Sequence, residues 1–490
     1  MMATRLLATR LLVSMLLLAA ASAVAQTVEH IEIKGAHALI TVPEPWNGSL
    51  FLYAHGYTSD ERSLTPIPDE IGQATPVLWP GLLGLVPDGY AWAITTFRST
   101  GWDVKDAIKD IENLRRYFAK KYGKPKYTYL WGHSGGGMIT AALVEYLPTT
   151  YDGAAPMCGT VAGGRRLWNS EYDLRVLYEY TCRDVPDARF VCGLCTDGQS
   201  RCLEDGDCPA GLTCSATETP PAPEDGLTSE CFDLLRARPT WLELGPDGGR
   251  FIARATAPCI GGASPSLAQA ARKDFLVRAS QLPEDQLVSA LFFASFGLAE
   301  VVHRRTRGKH PWGNIGVSYA SPLLTAEERT ALDAGVHRSD SDVDAVRYMR
   351  RFYEPRGRTR SKVVTLHALD DGLVIPEHEE KYRQAFEAAG RAEQLVQFVT
   401  PMGQHCANAY AFKPALEQLV AWVEQGRKPT TSSMNAACRD CLATTVPGPF
   451  GLKVRERRQK GAPLRTLVCT GQPGDCPSGS QCSVEKHHCR

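Results

Sequence analysis

The chain has 490 residues, 43% of them hydrophobic, and its 54 basic and 54 acidic side chains leave a formal net charge of zero. That length exceeds an ordinary single domain, and the apolar fraction supplies a sizeable core. With no long run of one sign, the charge argues against a nucleic-acid binder and gives no electrostatic reason for a membrane partner.

Residues 1–25 read as a secretory signal. Arg5 and Arg10 precede the apolar stretch Leu11 to Ala20, and the small residues after it end in Ala23-Val24-Ala25. Cleavage is expected after Ala25, giving a secreted or periplasmic protein that starts at Gln26. The apolar part is too short to span a bilayer comfortably, and no cysteine stands at the cleavage point, so no membrane anchor is expected.

Next comes an expected β-hairpin over Glu29 to Val42, then a continuous apolar strand over Gly48 to Ala54 that ends in His55-Gly56-Tyr57. Tyr90 to Thr96 reads as a strand. Asp103 to Tyr122 carries Val104, Ile108, Ile111, Leu114 and Phe118 at three- and four-residue steps, the spacing of an amphipathic helix. Tyr127 to Trp131 is a β-branched and aromatic strand, Met138 to Tyr146 a helix, and Ala154 to Cys158 a further strand. Strands alternating with helices predict a mostly parallel α/β sheet. The pattern then changes until Lys362 to His367, the next clear strand. Leu395 to Val399 reads as the last strand, Lys413 to Glu424 as a closing helix, and Arg427 to Ala437 as a polar linker.

Sixteen cysteines in an exported chain read as disulfides. Cys192, Cys195, Cys202, Cys208, Cys214 and Cys231 form one set; Cys438, Cys441, Cys469, Cys476, Cys482 and Cys489 form another. Each opens with C-x2-C, and both keep Asp-Cys-Pro with a glycine two residues later, which reads as an internal repeat of a six-cysteine module. Neither set has the histidine spacing of a zinc site, so no metal is expected. The modules are candidates for surface or polymer binding, and a disulfide-stapled appendage without a ligand is the alternative.

Between the strand Tyr127 to Trp131 and the helix stands Gly132-His133-Ser134-Gly135-Gly136. A serine on a tight strand-to-helix turn projects its hydroxyl clear of the sheet, and residues two before and two after come too close for side chains. A serine hydroxyl needs a base, and the base an orienting acid. Asp370 and Asp371 follow the strand ending at His367, and His405 lies between the last strand and the last helix.

Strand, G-x-S-x-G and helix, followed by acid and then histidine, resemble the α/β-hydrolase superfamily over about residues 29–426, weakly in the middle. The resemblance implies an α/β-hydrolase core of residues 26–160 and 361–427 and a cap insertion, 161–360, after the sixth strand. The cap contains the first cysteine-rich module (192–231), and residues 428–490 form the C-terminal one. It implies Ser134 as nucleophile, His405 as base and Asp371 as acid, with Asp370 one residue away. It implies an oxyanion hole from the backbone of Gly135 and of Tyr57, with Gly56 the alternative to Tyr57. His133 is then a shape residue of the elbow, His55 part of the oxyanion loop, and His367 the end of a strand. A Cys158–Cys406 bond tethering the histidine loop, beside Cys182–Cys259 in the cap, is one pairing among several that sequence leaves open. No cofactor is implied. The expected activity is hydrolysis of a small-molecule or polymer carboxylic ester through an acyl-enzyme. An exopeptidase with the same triad is the alternative, marked by an acidic cap residue for a free amino terminus. A non-catalytic binding protein on the same scaffold is the third reading.

Overall fold

Strand β3 (Leu50–Ala54) is buried at all five positions, and the reason is the alternation of its side chains. Leu50, Leu52 and Ala54 enter one apolar layer while Phe51 and Tyr53 enter the other. Strands β4 (Ala91–Thr95) and β5 (Thr128–His133) divide in the same way, Ala91, Ala93 and Leu130 against Trp92, Ile94, Tyr129 and Trp131. A continuous apolar run thus marks a strand covered on both faces.

The computed structural model describes residues 26–58, 61–67, 82–215, 220–237, 246–401, 403–446, 482–483 and 488–489. The main sheet begins with the hairpin β1 (Gln26–Ile33) and β2 (Ala36–Pro43), and continues through β6 (Gly153–Met157), β7 (Lys362–Ala368), β8 (Leu395–Thr400) and β9 (Thr444–Thr445). Its order is β1-β2-β4-β3-β5-β6-β7-β8-β9. All pairings from β4 to β8 are parallel; β1 and β2 are antiparallel to their neighbours, and β9 runs antiparallel to β8. Helices α1 (Val104–Tyr122) and α2 (Gly135–Tyr146) lie on one face. The other face is covered by a later helix, 412–425, through Phe412, Ala415, Leu416, Leu419 and Trp422.

Between β6 and β7 the chain builds the cap. Its helices are α3 (Gly164–Cys182), α4 (Ser229–Arg236), α5 (Pro246–Ile260), α6 (Leu267–Ser280), α7 (Glu284–Arg305), α8 (Ala326–Gly335) and α9 (Val343–Phe352). Helix α7 is long and apolar enough to cross a membrane, but 83% of its apolar window is buried inside the protein, so it is the core helix of the cap. The first cysteine module pairs Cys192–Cys231, Cys195–Cys208 and Cys202–Cys214. Those bonds consume the sulfurs of the grouped Cys195, Cys202 and Cys208, so no thiolate is left there for a metal. Cys192, Leu203 and Cys231 belong to the apolar core of the cap, so the module is packed into it.

After β7 come α10 (Glu377–Ala388), β8 and α11 (Phe412–Gln425). The expected polar linker is instead a short helix, α12 (Thr431–Ala437): Thr430 accepts from Ser433 N while the Ser433 hydroxyl accepts from Thr430 N. This is a capping box in which serine replaces the usual Glu or Gln, which hid it. Beyond it Cys438 bonds Cys441, whereas the first module sends its two opening cysteines to different partners. The two modules therefore differ at their opening pair. The expected signal segment 1–25 and most of the C-terminal module lie outside the described residues. Six disulfides among the described residues fit an oxidising, extracellular or periplasmic compartment.

Candidate active site

The site stands at the carboxyl ends of β5, β7 and β8. Ser134 follows β5 with φ of 55° and ψ of −124°, a backbone region that L-residues rarely occupy, and α2 starts directly after it. The glycines around it are required by contact. A Cβ on Gly136 would sit 2.0 Å from Ala54 O and 2.5 Å from His55 O; one on Gly132 would sit 2.5 Å from Ala54 O and 2.6 Å from Gly136 O. The end of β3 thus presses against the elbow, and α2 begins three residues earlier than its apolar pattern suggested.

That pressure brings the loop after β3 to Ser134. Tyr57 N lies 3.2 Å from where a Cβ of Gly135 would stand, so the two sequence-nominated oxyanion donors are neighbours. His133 bonds the Tyr53 hydroxyl through Nδ1 at 2.7 Å, and His55 turns its nitrogens to Gly56 O and Thr96 O. Burial pulls His133 down to about 3 and His55 to about 4, so both rings are neutral near pH 7. Each ring thus ties its own loop to a neighbouring element: His133 to Tyr53 of β3, and His55 to Thr96 directly after β4.

His405 reaches Ser134 Oγ through Nε2 at 2.8 Å and Asp371 Oδ2 through Nδ1 at 2.8 Å. The carboxyl group of Asp371 is fully buried; its Oδ1 accepts from Leu373 N at 3.0 Å and Val374 N at 2.8 Å. Burial alone would raise it, yet the neighbouring His405 and His367 hold it well below the usual carboxylate range. Asp370 is not part of this chain of contacts; its carbonyl instead accepts from the cap residue Gln286. Gln286 Oε1 also takes Gly372 N at 2.7 Å, and Asp285 accepts from Gln404 beside the histidine. The start of α7 therefore braces both loops. Cys158 and Cys406 form a disulfide from the end of β6 to the histidine loop, and both have positive φ, 40° and 55°. Cys182 pairs with Cys259 within the cap.

Over Ser134 lies a pocket whose walls sequence reading missed. Trp102 and Trp168 meet edge to face at 5.1 Å, and Tyr57 and Phe293 do so at 5.5 Å. Phe293 opens a π-helical turn in α7, a local widening that re-aims side chains and often marks functional sites. Leu167, Trp168 and Glu171 share one face of α3, and Glu171 is a buried carboxylate in this otherwise apolar wall. Their three- and four-residue spacing was visible; their meeting with Ser134 was not.

No protein-family model matches this chain, and no curated protein matches it by sequence. Among solved structures it is similar to an acylaminoacyl peptidase from Pyrococcus horikoshii, at 9% identity and a TM-score of 0.36, over 82% of this chain and 42% of that one. It is similar to the rice cell wall degrading esterase LipA from Xanthomonas oryzae, at 13% identity and TM-score 0.35, over 84% and 93% of the two chains. A third is feruloyl esterase B from Aspergillus oryzae, at 13% identity and TM-score 0.39, over 83% of each. The chain spans less than half the length of the peptidase. The fold is settled by its own topology. Eight strands in the order 1-2-4-3-5-6-7-8, the second antiparallel, a serine turn after the fifth and a cap after the sixth make this an α/β-hydrolase fold.

Proposed function

We propose that the protein is an exported serine hydrolase that cleaves carboxylic esters through an acyl-enzyme on Ser134. The observation that carries this is the unbroken chain Ser134–His405–Asp371, with 2.8 Å at each link. His405 Nε2 takes the hydroxyl proton as Oγ attacks the ester carbonyl, and the negative charge gathers on the former carbonyl oxygen. The backbone N–H groups of Tyr57 and Gly135 receive that oxyanion, and the N-terminus of α2 adds its dipole. His405 then gives its proton to the departing alkoxide. Water, deprotonated by the same nitrogen, attacks the acyl-enzyme, and the acid leaves as Ser134 regains its proton. The buried carboxylate of Asp371 holds His405 in the tautomer with its proton on Nδ1 and balances the imidazolium that forms.

The aromatic walls suit a compact apolar acyl or aryl group. A second reading has a specific residue behind it: Glu171, buried on a cap helix, is among those that line the pocket, and an acidic cap residue is what a free amino terminus would seek. A panel of p-nitrophenyl esters beside aminoacyl and prolyl anilides, run with Ser134→Ala and Glu171→Gln, separates the two. Ester turnover abolished by Ser134→Ala and spared by Glu171→Gln supports the esterase. Anilide turnover lost in Glu171→Gln supports the exopeptidase. Ester turnover untouched by Ser134→Ala contradicts both.

A further inference from the structure

Behind the triad acid lies a second histidine with no part in the chemistry just described. His367, on β7, is fully buried. Its Nε2 donates to Val374 O at 2.7 Å and lies 3.3 Å from Asp371 Oδ2. That is the oxygen His405 uses, so both imidazoles converge on one atom while Oδ1 is held by two backbone N–H groups. On the far side, Nδ1 of His367 faces Glu379 Oε1 of α10 at 3.3 Å, and neither atom has a hydrogen bond elsewhere. Glu379 is fully buried too, its Oε2 accepting from Gln397 at 2.6 Å and from the Thr365 hydroxyl.

The proton count follows from the acceptors. Val374 O can only accept, so Nε2 carries a proton. A neutral ring would then leave its Nδ1 lone pair 3.3 Å from a carboxylate oxygen with both side chains fully buried, an unpaired and costly contact. One more proton turns that contact into an ion pair. Burial by itself disfavours the charged ring, but Asp371 and Glu379 outweigh it and raise His367 to about 10.

We propose that His367 is a permanent buried imidazolium that positions Asp371 and cancels the charge of Glu379, so that His405 faces one net carboxylate. His367 acts through Asp371 and is therefore a positioning residue; the assignment rests on the acyl-transfer reading of Ser134. The charged groups against it are Asp371, from the loop after its own strand, and Glu379, from α10. Its neighbours on β8 are uncharged, and His378 of α10 turns instead to Ala162 N. His133 and His55, near the other end of the triad, are neutral in the working range.

The test is the pH dependence of the rate at which a fluorophosphonate labels Ser134, in the full chain, for wild type, His367→Asn, Glu379→Gln and the double variant. His367→Asn leaves Glu379 uncompensated behind Asp371 and is expected to move the half-rise of the profile up by about 1 pH unit, a roughly tenfold slower rate below it. Glu379→Gln is expected to move it down. The double variant restores neutrality and is expected to return to the wild-type position, whatever stability it has lost. A residue needed only for packing would lower rates without moving the half-rise, and the double variant would be no better than the worse single. An unmoved half-rise in the single variants, or a double variant that stays displaced, overturns the proposal. Should His367→Asn not fold, the downward shift in Glu379→Gln decides alone. Folded wild type left unlabelled at Ser134 overturns the acyl-transfer reading itself, and this role with it.

Discussion

Gly136→Ala tests how the elbow is built without touching any triad atom. The added methyl would lie 2.0 Å from Ala54 O and 2.5 Å from His55 O, while carbon and oxygen rest at about 3.3 Å. The obstacles are backbone, so no side-chain rotation relieves the overlap. The end of β3 must retreat by about 1 Å, and it carries the loop with Tyr57 along. Overpacking of this kind costs about 1–3 kcal/mol of stability. A displacement of about 1 Å at an oxyanion donor costs roughly 100-fold in rate. The assay is fluorophosphonate labelling of Ser134 beside a urea melt, with Gly262→Ala as control because a Cβ there has nothing within 4 Å. A Gly136→Ala variant that labels within twofold of wild type and melts at the same urea concentration would refute the close packing of strand end and elbow.

Asp371→Asn is expected to slow ester turnover by about 10⁴-fold, because the amide favours the wrong histidine tautomer. Asp370→Asn, whose side chain is outside the triad, should stay within a few-fold in the same assay. Replacing Cys158 and Cys406 together by serine removes a link spanning 248 residues of sequence and should cost about 2–5 kcal/mol by urea melt, with Ser134 still labelled. The buried charges also set pH limits. The pKa of Asp371 is depressed, so its contribution is complete above the unfolded value near 4 and is lost as pH falls through the folded value. That of His367 is raised to about 10, so its contribution is complete below about 6.5 and is lost as pH climbs towards 10. The stability gap between wild type and the double variant His367→Asn with Glu379→Gln, which leaves no buried carboxylate unpaired, should therefore be flat below about pH 6 and shrink above it; a gap that widens above that pH contradicts the charged ring.

The sheet was legible because its strands are buried on both faces and read as unbroken apolar runs, as at Leu50–Ala54 and Lys362–Ala368. The elbow was legible because steric demand leaves only glycine at 132 and 136. His405 stands within hydrogen-bond distance of both Ser134 and Asp371 because loops at strand ends converge once the strand order is fixed. What sequence hid depends on non-local meetings. Trp102, Trp168, Glu171 and Phe293 come from three separate elements and share only the space above Ser134. His367 looked like a strand end because its partner Glu379 sits on the following helix, and only the folded chain puts a carboxylate on each side of the ring. The short helix α12 was hidden by its serine-only cap.

The central claim is that Ser134 is a nucleophile activated by His405. Intact-mass and peptide mapping after exposure to a fluorophosphonate measures it most directly. The expected result is one phosphonyl adduct on Ser134 in folded wild type, none in Ser134→Ala, and formation slowed by orders of magnitude in His405→Ala. Folded wild type without an adduct, or an adduct that forms equally fast without His405, would contradict the account.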